Sequence, residues 1–169
     1  VSMGNTGAVV GAATLVLGTM PGCLRPGIAV TMNFGGPPLT LLDMGALSQP
    51  KPENLVQHGI MGAAFAKCAL GIETPRVGLL NIGEEASKGT DLLKAAHPLL
   101  AAAKVQFVGN VEGNEVFRNK CDVLVTDGFT GNVLLKFCED FAAQMLHLVV
   151  GECAKAGVAI PREVLGRVQ

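Results

Sequence analysis

The sequence predicts an α/β fold in three layers, with a mostly parallel sheet and helices on both of its faces. Short apolar runs alternate along the chain with longer stretches of helical character, which is typical of parallel sheets that are covered on both sides. Most of the apolar runs also end in a small cluster rich in Gly, Asn, Asp, Glu or Thr. Because ligands bind where the carboxyl ends of parallel strands meet, these clusters form the candidate site. They are residues 2–7, 43–45, 81–85, 109–113 and 127–132.

The expected elements follow one another in a regular order. Asn5 or Thr6 can cap the first helix, and Pro52 suits the first turn of the second. Pro98 is expected to kink or split the third helix. We therefore expect helices at residues 6–19, 52–70, 89–103 and 130–156, and strands at residues 28–33, 39–43, 76–81, 105–108 and 121–126.

Composition indicates one ordered α/β domain over residues 1–169 and argues against a nucleic-acid partner. Hydrophobic residues make up 49% of the chain and charged residues 16%, so disorder is not expected. The net charge is −1, with neither Trp nor Tyr. Such a chain lacks the basic patch and the stacking platforms that nucleic-acid binding uses.

Neither a metal nor a nucleotide cofactor is expected. The three histidines share no metal-ligand spacing, and we expect them at the surface or as hydrogen-bonded helix residues. No Gly-x-Gly-x-x-Gly follows a strand. The five cysteines form no Cys-x-x-Cys pair, which favours reduced, mostly buried thiols in the cytosol. The histidines are His58, His97 and His147, and the cysteines are Cys23, Cys68, Cys121, Cys138 and Cys153.

The first 24 residues carry no charged side chain. Their apolar part, residues 8–19, is shorter than the roughly 20 residues that a membrane-spanning helix needs. No basic region precedes it, which argues against a signal peptide. We expect a buried helix.

The polar clusters favour a site for an anion. Glycine lets the backbone come close to a ligand, and helix N-termini direct unpaired N–H groups at anions. These properties predict half of a site for a phosphate-like substrate. A structural alternative remains open, in which Asn5, Asn110 and Asn132 are helix caps or turn residues and Glu84 and Glu85 are solvated first-turn acids.

Four motifs, in this order, resemble those of the phosphate acyltransferase family of bacterial phospholipid synthesis, PlsX. The resemblance spans essentially the whole chain, and the string Leu-Asn-Ile-Gly-Glu-Glu is its most specific part. The motifs are Val1-Ser2-Met3-Gly4-Asn5-Thr6-Gly7-Ala8, residues 75–85 with Lys88-Gly89, Gly109-Asn110-Val111-Glu112-Gly113 and Asp127-Gly128-Phe129-Thr130-Gly131-Asn132-Val133.

The resemblance implies an activity and its partners. The family converts acyl-acyl carrier protein and inorganic phosphate to acyl phosphate and free carrier protein. Its members have a fold resembling isocitrate/isopropylmalate dehydrogenase, form homodimers, and attach peripherally to the inner face of the membrane from the cytoplasm. No cofactor is implied.

The resemblance also implies roles for individual residues. Lys88 and Asn132 are expected to be catalytic, through neutralisation of phosphate and stabilisation of the oxyanion. The expected substrate- and phosphate-binding residues are Ser2, Gly4, Asn5, Thr6, Gly7, Asp43, Asn81, Glu84, Glu85, Gly109, Asn110, Glu112, Asp127, Thr130 and Gly131.

Three departures from the family pattern stand out. Met3 replaces a small residue, and Leu47 lies where an asparagine is expected. The chain also begins inside a motif, so we expect a fragment of a longer protein.

Residues 130–169 resemble the start of the family's projecting helical hairpin. Its apolar stripe favours dimer packing, with membrane contact through residues 158–160 as the alternative.

Three other functions remain open. A phosphotransacetylase-like enzyme would use coenzyme A thioesters. A non-catalytic module would bind carrier protein or membrane without turnover. A decarboxylating dehydrogenase would need clustered aspartates and arginines, whereas Arg25, Arg76 and Arg118 are dispersed.

Overall fold

The structure is a computed structural model, and it describes residues 5–33 and 35–161. The chain divides into two units, Val1–Asn132 and Val133–Gln169, and the sheet lies in the first. The helices are α1 (Thr6–Leu17), α2 (Pro52–Leu70), α3 (Asp91–Ala102) and α4 (Gly128–Lys155). The strands are β1 (Ala29–Met32), β2 (Leu39–Leu42), β3 (Arg76–Asn81), β4 (Gln106–Glu112) and β5 (Val123–Val125).

The five strands form one sheet in the order β1-β2-β5-β3-β4. Strand β1 is antiparallel to β2, and the other neighbours are parallel. In the centre of the sheet Val123 pairs with Thr40 on one side and with Val77 on the other. The prediction of an α/β fold with a mostly parallel sheet is therefore confirmed.

Helices α2 and α3 pack on one face of the sheet and form the core with it. Leu55 of α2 and Leu100 of α3 are fully buried against Leu79 and Val125. Burial of each such side chain stabilises the fold by about 1.5–3 kcal/mol. Gly62 lets α2 approach closely, because a Cβ at this position would lie 2.5 Å from Val123 Cγ1.

Among the described residues, the face of the sheet opposite to α2 and α3 is not packed against helices as we predicted. There Gly78 lies against Val111 and Cys121, and Cys121 lines a cavity of about 80 Å³ together with Val116 and Leu39. Val116 and Cys121 belong to the connection between β4 and β5, which therefore covers part of this face. In the described part of the chain, α2 and α3 thus share one face, whereas we predicted helices on both.

Helix α1 corrects another expectation, since we predicted that it would be buried. None of its residues is buried, and Leu15, Val16 and Leu17 are more than 80% exposed. The helix is apolar all round, and the described residues supply no layer that covers it. No helix among the described residues is long and apolar enough to cross a membrane.

Helix α3 continues through Pro98 from Asp91 to Ala102, so the helix is not split there. Pro98 lies on the exposed side of the helix, where water can bind the carbonyl group that the proline leaves without a donor.

The cysteines are less buried than we predicted. All five are free, and Cys121 alone among them is fully buried, whereas Cys68 is exposed. Burial raises the pKa of the Cys121 thiol to about 12. Because the thiolate is the nucleophilic form, Cys121 is an inert packing residue.

Candidate active site

The carboxyl ends of the parallel strands bring the polar loops to one edge of the sheet. Strands β2, β5 and β3 lie side by side, and neighbouring strands are about 4.8 Å apart. The loop after β2 begins at Asp43, β5 leads to the start of α4, and β3 leads to residues 82–89. The expected site residues in these three loops therefore lie along one edge.

Asp43 shapes the loop of residues 43–47. Its carboxylate is completely buried. Oδ1 accepts hydrogen bonds from the backbone N–H groups of Ile28 (2.9 Å), Gly45 (3.2 Å) and Ala46 (2.9 Å), and Oδ2 accepts from Leu47 (2.7 Å). Four charge-assisted bonds occupy the carboxylate. Asp43 thus fixes the loop, and both of its carboxylate oxygens accept hydrogen bonds from the backbone.

The N-terminus of α4 packs directly on this loop. The N–H of Gly128 donates to the carbonyl of Leu47 at 2.9 Å, and a Cβ at Gly131 would overlap the carbonyl oxygen of Asp43. The family motif therefore needs glycine at position 131 for close packing.

Asp127 and Thr130 are occupied at the same helix end. The N–H of Thr130 donates to Asp127 Oδ1 at 2.8 Å, and its hydroxyl donates to Asp127 Oδ2 at 2.6 Å. Asp127 is thus the N-terminal cap of α4, and its side chain stabilises the helix that presents Asn132.

Asn132 lies one turn into α4. We predicted a helix start near residue 130, but the helix begins at Gly128, so the backbone N–H of Asn132 belongs to the helical hydrogen-bond ladder. Its side chain is exposed and lies beside Gly45, where a Cβ would be 3.6 Å from Asn132 Cγ. Among the described residues its amide has no hydrogen-bond partner and can donate to a ligand.

Two buried asparagines hold the loop of residues 82–89. Asn81 donates from Nδ2 to the carbonyl of Lys88 (3.1 Å) and accepts at Oδ1 from the N–H of Ile82 (2.8 Å). Asn110 donates from Nδ2 to the carbonyl of Glu85 (2.9 Å). We predicted both as substrate- or phosphate-binding residues, and the polar atoms named here bind the loop backbone. Asn110 Oδ1 is buried and accepts no hydrogen bond from the described residues.

Lys88 is the exposed cation of this loop. Its stem lies over Gly83, where a Cβ would be 2.8 Å from Lys88 Cγ. Gly89 follows with a φ of +87°, a conformation that favours glycine. The Lys88 ammonium forms no ion pair within residues 5–33 and 35–161 and is available to an anion.

The acidic residues near Lys88 differ in their surroundings. Glu84 forms an ion pair with Lys120 at 2.5 Å, whereas Glu85 is exposed and Glu112 is half-buried. Lys120 also binds Glu115 at 2.8 Å, and these contacts lower the pKa of Glu115. Nothing in the sequence indicated Lys120, because it lies outside the polar clusters and 36 positions from Glu84.

The remaining expected site residues fall into three groups. Asn5 caps α1, since its Oδ1 accepts from the N–H groups of Gly7 (2.9 Å) and Ala8 (3.3 Å), and Thr6 is exposed in the first turn. Gly109 has a φ of +91° in β4. Ser2 and Gly4 lie outside the described residues.

An apolar groove adjoins the loop of residues 43–47. It has a volume of about 340 Å³, and its lining is uncharged except for Arg25. The groove runs beside α1 and is lined by Gly7, Val10, Gly11, Thr14, Leu15, Arg25, Pro26, Ala46 and Leu47.

His58 is a buried residue that sequence reasoning misjudged. We expected a surface or hydrogen-bonded histidine, but its side chain is 1% exposed and neither ring nitrogen has a hydrogen-bond partner among the described residues. It packs on Gly27, where a Cβ would lie 3.0 Å from His58 Nε2. Burial lowers its pKa from the ordinary value of 6.5, and the charge of Asp43 partly offsets this effect.

The fold is that of the phosphotransacetylase class. The EutD phosphotransacetylase from Staphylococcus aureus superimposes with a TM-score of 0.62 at 18% identity, over 84% of this chain and 49% of that one. A phosphotransacetylase from Streptococcus pyogenes has a TM-score of 0.66 at 15% identity, over 83% and 49%. Similarity at this identity establishes the fold alone.

The sequence itself identifies the family. The model of the family described as "Fatty acid synthesis protein" matches residues 1–160, and the chain belongs to this family. It is 42% identical over 167 residues to a phosphate acyltransferase of Elusimicrobium minutum, covering 99% of this chain and 49% of the relative. It is 45% identical over 162 residues to one of Halalkalibacterium halodurans, covering 94% and 48%.

The resemblance to phosphate acyltransferases that the motifs indicated is therefore confirmed. The chain spans about half the length of the curated relatives that it matches.

Proposed function

We propose that this chain carries part of the active site of a phosphate acyltransferase, which converts acyl-acyl carrier protein and inorganic phosphate to acyl phosphate and free carrier protein. The observation that carries the proposal is that Lys88 and Asn132 are both exposed and lie on the segments that follow the neighbouring strands β3 and β5, Lys88 in a loop and Asn132 in the first turns of α4. The curated relatives named phosphate acyltransferase support the same activity. We also propose that the fold resembles that of isocitrate/isopropylmalate dehydrogenase.

The reaction needs an anion held beside a thioester carbonyl. An oxygen of hydrogen phosphate attacks the carbonyl carbon, and the carbonyl oxygen becomes an oxyanion. Collapse of this intermediate breaks the C–S bond, and the proton of the phosphate goes to the departing sulfur. Lys88 neutralises phosphate, and the Asn132 amide donates to the oxyanion, where preorganised donors lower the barrier most.

The remaining expected residues build the site around these two. Asp43, Asn81, Asn110 and Asp127 hold the loops through the hydrogen bonds described above. The apolar groove beside α1 suits the acyl chain, because its lining excludes charge apart from Arg25 and it adjoins the loop that touches Asn132.

The test uses a chimera in which this chain replaces the matching half of the E. minutum enzyme. We expect phosphate-dependent release of free thiol from a long-chain acyl-carrier protein. Lys88→Ala and Asn132→Ala should each lower kcat/KM for phosphate about 100-fold, because each removes one group that stabilises negative charge in the transition state.

Lys104→Ala is the matched control, since this lysine is exposed and lies outside the proposed site. Full activity of Lys88→Ala and Asn132→Ala would contradict the assigned roles. Transfer from acyl-coenzyme A alone would favour the phosphotransacetylase-like function, and binding of carrier protein without turnover would favour a docking module.

We also propose that the protein is a homodimer that works in the cytoplasm. Within the second unit, α4 exposes a row of large apolar side chains, and a second copy of the chain is the proposed occupant. Peripheral contact with the inner face of the membrane through residues 158–160 is the alternative use of this unit. This row consists of Phe137, Phe141, Met145, Leu148 and Val149.

A further inference from the structure

Side chains of three residues outside the loop, Asn81, Asn110 and Lys120, tether residues 82–89 in the described part of the chain. Two tethers are the neutral hydrogen bonds from Asn81 to the Lys88 carbonyl and from Asn110 to the Glu85 carbonyl. The third is the ion pair between Lys120 and Glu84. The asparagines belong to β3 and β4, whereas Lys120 belongs to the connection between β4 and β5. The third tether thus links the loop to a separate segment.

Lys120 is itself firmly anchored. Its Nζ donates to Glu115 Oε1 at 2.8 Å and to Oε2 at 2.9 Å. Glu115 Oε2 also accepts from the N–H of Glu112 at 3.0 Å, so the anchor reaches the end of β4. The hydrogen bonds to Glu115 and Glu84 raise the pKa of Lys120, which keeps the ammonium charged.

We propose that Lys120 is a positioning residue for Lys88, an inference that rests on the proposed function. Lys120 holds the Glu84 side of the loop, and the Lys88 stem lies over the adjoining Gly83. It also neutralises Glu84, a carboxylate four residues from the phosphate-binding cation. Without Lys120 the loop loses a tether, and phosphate approaches an unpaired negative charge.

The two effects predict which kinetic parameter changes. Lys120 does not touch the reacting atoms, so its loss should weaken phosphate binding more than the chemical step. In the chimera, Lys120→Met should raise the KM for phosphate about tenfold, as expected for one partly screened charge, with a much smaller change in kcat. Lys120→Arg, which keeps the charge, should restore most of the affinity.

A double variant separates charge from tethering. Glu84→Gln in the Lys120→Met background removes the unpaired carboxylate, and we expect the KM for phosphate to fall back part of the way. Lys67→Met is the matched control, since it removes an exposed ion pair with Glu73 elsewhere in the chain. We expect no change in KM from it.

Hydrogen–deuterium exchange on the 169-residue chain tests the tether without turnover. Amides of residues 83–88 should exchange several-fold faster in Lys120→Met than in the unmodified chain. The amides of α2 should exchange at the same rate in both. Unchanged exchange in the loop would overturn the inference, and so would an unchanged KM in an active chimera. A chimera without phosphate-dependent turnover would reject the proposed function instead, and the exchange result would still decide whether Lys120 holds the loop.

Discussion

At the scale of single residues, several polar side chains in this protein serve the backbone. Asp43, Asn81 and Asn110 have the composition of a ligand site, yet the structure directs them at loop N–H and carbonyl groups. Sequence shows which residue types cluster, but not where each side chain points. Lys88 and Asn132 differ from them because their polar ends are exposed.

His58 makes the stability of the protein depend on pH. Its pKa is lowered in the folded chain, so between that pKa and 6.5 the unfolded chain binds more protons. By linkage, the free energy of unfolding falls as the pH drops below about 6.5, with a slope of at most about 1.4 kcal/mol per pH unit from one group. The loss ends once the pH is below the folded pKa.

His58→Phe should remove the contribution of His58 to the change of the free energy of unfolding with pH, since phenylalanine has no proton to bind. Urea unfolding at several pH values between about 7.5 and 5.5 measures it. Gln144→Phe, at an exposed position of α4, is the control and should leave the pH dependence of the free energy of unfolding unchanged, because glutamine does not titrate. The prediction fails if His58→Phe and the unmodified chain show equal slopes.

At the scale of elements, an ion pair joins the start of β3 to the start of β5. Arg76 donates from Nε to Asp122 Oδ2 at 3.0 Å and from Nη2 to Oδ1 at 2.8 Å. It also donates from Nη1 to the carbonyl of Asn119 at 2.9 Å. The cluster lies at the edge of the sheet opposite to the candidate site. We therefore assign Arg76 to stability, although arginine is a common anion ligand.

Arg76→Met should destabilise the fold by about 2 kcal/mol, because it leaves the carboxylate of Asp122 largely buried without its charged partner. The hydrogen bond from Arg76 lowers the pKa of Asp122 below 3.8. The stabilisation is thus present above pH 3.8 and is lost as the pH falls through the folded pKa.

Urea unfolding at neutral and acidic pH measures the free energy of unfolding of Arg76→Met and of the unmodified chain. We expect the difference between the two values to become smaller in acid. Arg118→Met is the control, at an exposed position of the connection between β4 and β5. It should lower the free energy of unfolding much less than Arg76→Met does. An equal loss of stability in both variants would mean that the cluster contributes nothing specific.

Sequence predicted the elements better than their arrangement. The alternation of apolar runs and helical stretches located the four α-helices and five strands that the described residues form, because burial imposes local patterns. Strand order and the antiparallel entry of β1 depend on contacts between distant segments, as in the pairing of Val77 with Val123. The Lys120–Glu84 contact is non-local in the same way, so no motif could have revealed it.

At the scale of the whole molecule, the exposed apolar row of α4 predicts self-association. Phe137 and Phe141 stack with ring centroids 5.4 Å apart, and both are more than half exposed. Burial of such rings between two copies gives large contact areas at little entropic cost. We expect light scattering to show a dimer, and Phe141→Asp to raise its dissociation constant at least tenfold, or about 1.4 kcal/mol.

Ala143→Asp is the matched control, because two helical positions place residue 143 about 200° around the axis from Phe141. It adds the same charge on the opposite face and should leave the dimer intact. A chain that is monomeric at all concentrations would contradict the proposed dimer. Flotation with liposomes that is lost in Ile160→Asp would then assign the apolar unit to the membrane, since a charge at the tip opposes insertion between lipid headgroups.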